Sequence, residues 1–232
     1  MKIRVLDDPK MVALEAAKTI AAEARSAVMT RGKFVMAVSG GRTPWQMLRI
    51  LSGEDVPWKH VHVFQVDERV APAGDPERNL THLVECLLEQ APLRPEQIYA
   101  MPVEDRDLES ATASYARTLE EIAGSPPVLD LTHLGLGADG HTASLVPGDP
   151  VLDLTEVDVA LTGVYQEHRR MTLTYPALNR SRRILWVVTG EEKAGMLARL
   201  RDGDISIPAG RIRQDKALLL VDRAAADRSE PA

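Results

Sequence analysis

The chain reads as a single α/β domain built on a largely parallel sheet. Two observations carry that expectation. Short runs rich in Val, Leu and Ile alternate with amphipathic helical patterns, and no internal repeat or low-complexity linker divides the 232 residues. The domain is expected over residues 1–225, with 226–232 as a disordered tail, because the chain from Ala224 onward is small and polar and ends in Ser-Glu-Pro-Ala.

Residues 11–29 set Val12, Leu14, Ala17, Ile20, Ala21, Ala24 and Val28 at helical spacing, with Glu15, Lys18, Glu23 and Arg25 between them. This predicts an amphipathic helix that Gly32 terminates. Segments 34–38, 61–66, 129–136, 171–173, 184–188 and 217–221 are short and β-branched, as buried strands are. Between them, 45–51, 79–88, 108–122 and 193–200 carry helical patterns.

Composition excludes several functions. The 28 Lys and Arg are outnumbered by 34 Asp and Glu, a net charge of −6, so the overall basic excess of a nucleic-acid binder is missing. No apolar segment approaches the roughly 20 residues needed to span a bilayer, and nothing at the amino terminus reads as a secretory signal. A cytoplasmic protein without membrane or nucleic-acid partners is expected. The sole cysteine, Cys86, excludes an internal disulfide framework and lies in an apolar helical stretch, where it reads as packing.

Three strand ends carry candidate chemistry. After the strand ending at Val38 comes Ser39-Gly40-Gly41-Arg42-Thr43-Pro44, where glycines let backbone N–H groups converge on an anion and Pro44 suits a first helical turn. The spacing matches neither the dinucleotide fingerprint nor the P-loop. After the strand 61–66 comes Asp67-Glu68-Arg69, whose arginine suits two-pronged contact with a phosphate or carboxylate. After the strand 129–136 comes Gly135-Leu136-Gly137-Ala138-Asp139-Gly140-His141-Thr142-Ala143-Ser144. Its glycines permit close approach of the main chain to a ligand, and it presents Asp139 two residues from His141, a pairing suited to proton transfer near neutral pH. No histidine pair has convincing metal spacing, and the Gly-x-Ser-x-Gly nucleophile elbow is absent.

Taken together with Arg170-Met171-Thr172-Leu173-Thr174, Gly190-Glu191-Glu192-Lys193-Ala194 and Asp222, these motifs resemble the family of 6-phosphogluconolactonases and glucosamine-6-phosphate isomerases, in order from about residue 10 to residue 225. The resemblance implies a Rossmann-like fold, a mostly parallel sheet with helices on both faces. It also implies hydrolysis of 6-phospho-D-glucono-1,5-lactone, a small sugar-phosphate lactone of the oxidative pentose phosphate pathway, without metal or cofactor. By position His141 matches the family's acid/base and Arg69 its active-site arginine. Asp139 would orient the imidazole. The phosphate would meet Ser39, Gly40, Gly41, Arg42 and Thr43 together with Arg170 and Lys193, with Asp67 also in the substrate site. A monomer or small homo-oligomer is expected.

The chain departs from the family where a Lys/Pro-rich stretch commonly precedes the Arg-x-Thr-Leu-Thr motif: it has Tyr165-Gln166-Glu167-His168-Arg169 instead. Val146 replaces a common Phe, and Pro208-Ala209-Gly210 replaces Pro-Ala-Ser. Two other readings stand beside the lactonase. A glucosamine-6-phosphate deaminase shares the Asp-Gly-His core but is expected to continue Ile-Ala-Phe-Asn-Glu where this chain has Thr142-Ala143-Ser144-Leu145-Val146. A sugar-phosphate-sensing module needs no acid/base pair, whereas this chain has both Asp139 and His141.

Overall fold

A computed structural model describes residues 1–227. The chain runs β1 (Lys2–Leu6), α1 (Pro9–Arg31), β2 (Phe34–Val38), α2 (Arg42–Ser52), β3 (Val61–Gln65), β4 (Asp67–Arg69) and α3 (Asn79–Leu83). It continues through β5 (Ile98–Tyr99), α4 (Leu108–Ala123), β6 (Leu131–Leu134), β7 (Val159–Leu161) and β8 (Arg170–Leu173). Then follow α5 (Tyr175–Arg180), β9 (Ile184–Val188), α6 (Ala194–Arg201), β10 (Ala217–Asp222) and α7 (Arg223–Ala226). Among the described residues no helix is long and apolar enough to cross a membrane.

The caps explain where α1 begins and ends. Asp8 accepts a hydrogen bond from the Met11 N–H at 2.8 Å, Pro9 fills the first turn, and Gly32 at φ 79° returns its N–H to the Val28 carbonyl. Composition predicts fraying from Ala224, but Asp222 accepts from the Ala225 N–H at 2.9 Å and caps α7. The part of the expected tail from residue 228 onward lies outside the described residues.

Seven parallel strands form the main sheet in the order β1-β10-β9-β6-β2-β3-β5. Alternation along each strand divides the core. Phe34, Met36 and Val38 of β2 pack with α1 and α2 on one face, while Val35 and Ala37 join α4, α5 and α6 on the other. Cys86 is buried in the first of these layers, as packing requires. From β2 the chain moves outward to β3 and β5, whereas from β6 it moves the opposite way to β9 and β10. The order therefore reverses between β2 and β6. A crevice opens at such a reversal, at the carboxyl ends of the strands.

A second sheet corrects the expectation for 171–173, which is not a strand of the parallel sheet. β8 lies in a three-stranded antiparallel sheet of order β4-β8-β7. The chain changes sheets at Val66, whose N–H bonds to the Val38 carbonyl at 3.0 Å and whose carbonyl accepts from the Leu173 N–H at 2.8 Å. Asp67-Glu68-Arg69, which by sequence follows the end of a strand, is thereby a strand of its own. Three charged residues have little strand preference of their own, so pairing with β8 decides their conformation.

Strand alternation sends Glu68 away from its neighbours and into the interior, where it is 0% exposed. Its carboxylate accepts from the N–H groups of Arg69 and Asn79 at 2.8 Å, Leu80 at 2.7 Å and the Gln65 amide at 2.9 Å. Arg78, 2% exposed, pairs with it at 3.4 Å and also reaches Glu104. This one carboxylate joins β4 to the start of α3. Replacing Glu68 by alanine leaves the Arg78 charge and several amides buried without it, and is expected to cost about 3–5 kcal/mol of unfolding free energy. Urea titration of the variant measures this; a loss below about 1 kcal/mol contradicts the assigned role.

Candidate active site

The crevice between β2 and β6 holds a cleft of about 780 Å³, and the loops leaving β2, β6 and β9 line it together with β4 and β8. From β2 come Ser39 to Thr43. Gly40 is required by close packing, because a Cβ there would overlap the Asn79 side chain and the Trp45 ring. The Ser39 N–H donates to Nδ1 of His133 at 3.2 Å, and the Ser39 hydroxyl is buried in the cleft wall without a protein partner. Burial pushes the His133 pKa down to about 3, so its ring stays neutral and keeps accepting that N–H at ordinary pH. α2 starts at Arg42 with no side-chain cap, which leaves its first-turn N–H groups available to an anion. Thr43 and Thr189 share a hydroxyl hydrogen bond of 2.8 Å that ties the β2 and β9 exits together.

The loop leaving β6 folds on itself. The Gly137 N–H donates to the His141 carbonyl at 2.8 Å, and the Gly140 N–H to the Gly137 carbonyl at 3.1 Å. A side chain at 137 would overlap the His141 ring and the Asp139 carboxylate, so this turn admits the pair only beside glycine. Asp139 Oδ1 lies 2.6 Å from His141 Nδ1 and also accepts the His141 N–H at 3.1 Å. Burial disfavours the Asp139 charge, but hydrogen bonds from the His141 amide and ring and from Tyr165 outweigh it and hold the carboxyl below its ordinary pKa. An ionised carboxylate only accepts hydrogen bonds, so the proton of neutral His141 sits on Nδ1 and Nε2 carries the free lone pair. His141 lines the cleft, and Asp139 stands behind it.

On β4, residues two apart share a face, and Asp67 and Arg69 both line the cleft while Glu68 does not. Asp67 accepts from the Ser144 hydroxyl at 2.7 Å, which links β4 to the loop after β6. Arg69 is the direct cross-strand partner of Arg170. Like charges placed opposite one another across a sheet are destabilising. Burial, and then the neighbouring Arg69 charge, push the Arg170 pKa below its ordinary value. Arg170 is only 3% exposed, and the Nε atoms of both arginines are buried without a hydrogen-bond partner. Lys193 reaches the same cleft from the turn before α6. Among the described residues none of Arg42, Arg69, Arg170 and Lys193 has a carboxylate within ion-pair distance. Such a cluster of cations is suited to an anion.

Of the sequence-predicted site residues, all but Asp139 line this one cleft, and Asp139 reaches it through His141. Sequence reasoning missed Tyr165, whose hydroxyl donates to the second Asp139 oxygen at 3.0 Å, and Thr189 and Asn79, which buttress the loops. The departure from the Lys/Pro-rich pattern was the available signal for Tyr165.

The family model for glucosamine-6-phosphate isomerases and 6-phosphogluconolactonase matches residues 7–220. The chain belongs to that family. Among its members the 6-phosphogluconolactonase of Mycobacterium tuberculosis is 34% identical over 97% of this chain and 96% of its own length. That of Streptomyces coelicolor is 33% identical, covering 94% and 91%. The crystal structure of the 6-phosphogluconolactonase of Thermotoga maritima superposes with a TM-score of 0.84 at 26% identity, covering 95% of this chain and 98% of that one. A monomeric glucosamine-6-phosphate deaminase reaches a TM-score of 0.85 at 19% identity, covering 97% and 99%, a likeness of fold alone. The family fold therefore does not separate the two activities; the residues at the cleft must.

Proposed function

We propose that the protein hydrolyses 6-phospho-D-glucono-1,5-lactone to 6-phospho-D-gluconate, with His141 as the general base and acid. The observation that carries this reading is the Asp139–His141 pair at a cleft whose cations, among the described residues, have no carboxylate within ion-pair distance. The lactonase relatives of near full length support the substrate. A deaminase would want a glutamate soon after the histidine. Here Thr142, Ser144 and Leu145 are buried instead.

In the proposed reaction Nε2 of His141 takes a proton from water as its oxygen bonds to the lactone carbonyl carbon. Asp139 steadies the imidazolium that forms, as an orienting carboxylate does. Arg69, with nearby backbone N–H groups, offsets the charge growing on the carbonyl oxygen. When the tetrahedral intermediate collapses, the bond from the former carbonyl carbon to the ring oxygen breaks, and His141 returns its proton to that oxygen. The phosphate is held by Ser39 to Thr43, the start of α2, Arg170 and Lys193, which fixes a small flexible substrate against the histidine. The reaction needs only water and these side chains.

Purified protein is expected to hydrolyse the lactone faster than its spontaneous rate, and His141→Ala to remove most of that excess while circular dichroism stays unchanged. No excess over the spontaneous rate overturns the lactonase reading, and equal rates for the two proteins overturn the role of His141. Arg170→Ala is expected to raise KM by about tenfold or more with a smaller change in kcat, as loss of a uniform binding contact does. A collapse of kcat at constant KM would instead put Arg170 in the transition state.

A further inference from the structure

The hairpin between β7 and β8 is not part of the reaction described above, yet its tip reaches the reacting pair. Tyr165 and His168 close a two-residue turn through hydrogen bonds of 2.9 and 3.3 Å. The central residues, Gln166 at φ 47° and Glu167 at φ 69°, are left-handed without being glycine. Such residues are held by their surroundings rather than by preference.

What the turn delivers is Tyr165. Its hydroxyl donates to Asp139 Oδ2 at 3.0 Å, on the carboxylate oxygen that His141 does not use. Its ring meets the His141 ring edge-on with centroids 5.6 Å apart. The Arg170 guanidinium carbon lies 5.0 Å from the centre of the same ring. The Tyr165 carbonyl and the Gln166 side chain accept from Arg170 at 3.5 and 3.3 Å. One side chain therefore touches both the proton-handling pair and an arginine of the anion site.

We propose that Tyr165 is a positioning residue that acts through two separable contacts: its hydroxyl sets the basicity of His141 through Asp139, and its ring seats Arg170. The inference rests on the reading of His141 as the general base. A carboxylate shared between two donors gives less of its charge to each, so the Tyr165 hydrogen bond weakens the hold of Asp139 on a protonated His141. Without the hydroxyl, Asp139 favours the imidazolium more strongly and His141 gains basicity. The other charged groups lining the same cleft are Arg42 from α2, Asp67 and Arg69 from β4, Glu77, Arg170 from β8, and Glu192 and Lys193 from the turn before α6, of which Arg69, Asp67 and Glu77 act on Arg170. Tyr165→Phe leaves all of these residues in place; besides the Asp139 contact it removes only the 3.4 Å hydrogen bond that the Gln166 amide donates to the hydroxyl. Burial and the Asp139 charge also push the Tyr165 pKa up, so the phenol remains a donor throughout the working range.

The test is a ¹⁵N NMR titration of the His141 ring in the wild type, Tyr165→Phe and Tyr165→Leu, with pH profiles of kcat/KM for lactone hydrolysis. In Tyr165→Phe the His141 pKa is expected to rise by about half a unit to one unit. The acid limb of the profile moves with it, while KM at the optimum stays within about twofold because the ring remains beside Arg170. Tyr165→Leu is expected to show the same pKa rise together with a KM increase of about two- to fivefold. An unchanged or lowered His141 pKa in Tyr165→Phe overturns the proposal, whatever the activity. A shifted titration in a protein that does not turn over the lactone supports the positioning role and removes the hydrolase reading instead.

Discussion

The site is organised around one hydrogen bond, the 2.6 Å contact between Asp139 and His141. Because an ionised carboxylate accepts and never donates, this contact settles which ring nitrogen holds the proton and which is free to take one. The surroundings follow from protecting it. Glycine at 137 leaves room for both side chains, and the loop after β6 closes on itself so that they meet at two-residue separation. The Ser144–Asp67 hydrogen bond ties that loop to β4, and the Ser144 N–H is tied to Thr172 of β8 at 3.2 Å. The pair is therefore set in place by both sheets.

The second constraint is electrostatic. A chain of net charge −6 that takes a phosphorylated substrate has to concentrate its attraction locally. It does so with cations at the strand ends that have no carboxylate within ion-pair distance among the described residues, and by placing Arg69 directly across from Arg170. Two like charges in that position are tolerated because the rest of the fold restrains them. Glu68 accepts the Arg69 N–H and fixes the start of α3, and Asn79 accepts from the Arg69 guanidinium at 3.2 Å. Under the proposed function the substrate phosphate offsets that unpaired charge, and a site built in advance in this way loses little free energy to reorganisation on binding.

Much of this was legible in the sequence because local signals and tertiary structure agree. Asp8, Pro9 and Gly32 bound α1 much as the periodicity and Gly32 predict, and the all-apolar runs at Phe34–Val38 and Ile184–Val188 are central strands. The three glycine-bearing or charged strand ends were readable because binding sites of parallel sheets lie at carboxyl ends. The second sheet was not legible. Asp67-Glu68-Arg69 has no strand pattern, and only its pairing with Arg170–Leu173, a hundred residues away, makes it one. The division of labour within that triplet was hidden for the same reason, since strand alternation separates Glu68 from Asp67 and Arg69 only once the strand is known. The role of Tyr165 depends on a turn of two left-handed non-glycine residues, which no local sequence preference announces.

In the proposed mechanism the nitrogen of His141 left free by Asp139 carries the proton in lactone hydrolysis. The most direct measurement compares two titrations of the wild-type protein: the His141 ring followed by ¹⁵N NMR in the free enzyme, and the acid limb of the pH profile of kcat/KM. The two midpoints are expected to coincide, and the NMR spectra of the neutral ring to show the proton on Nδ1. An acid limb displaced by more than about one unit from the His141 titration, or a neutral ring protonated on Nε2, would contradict it.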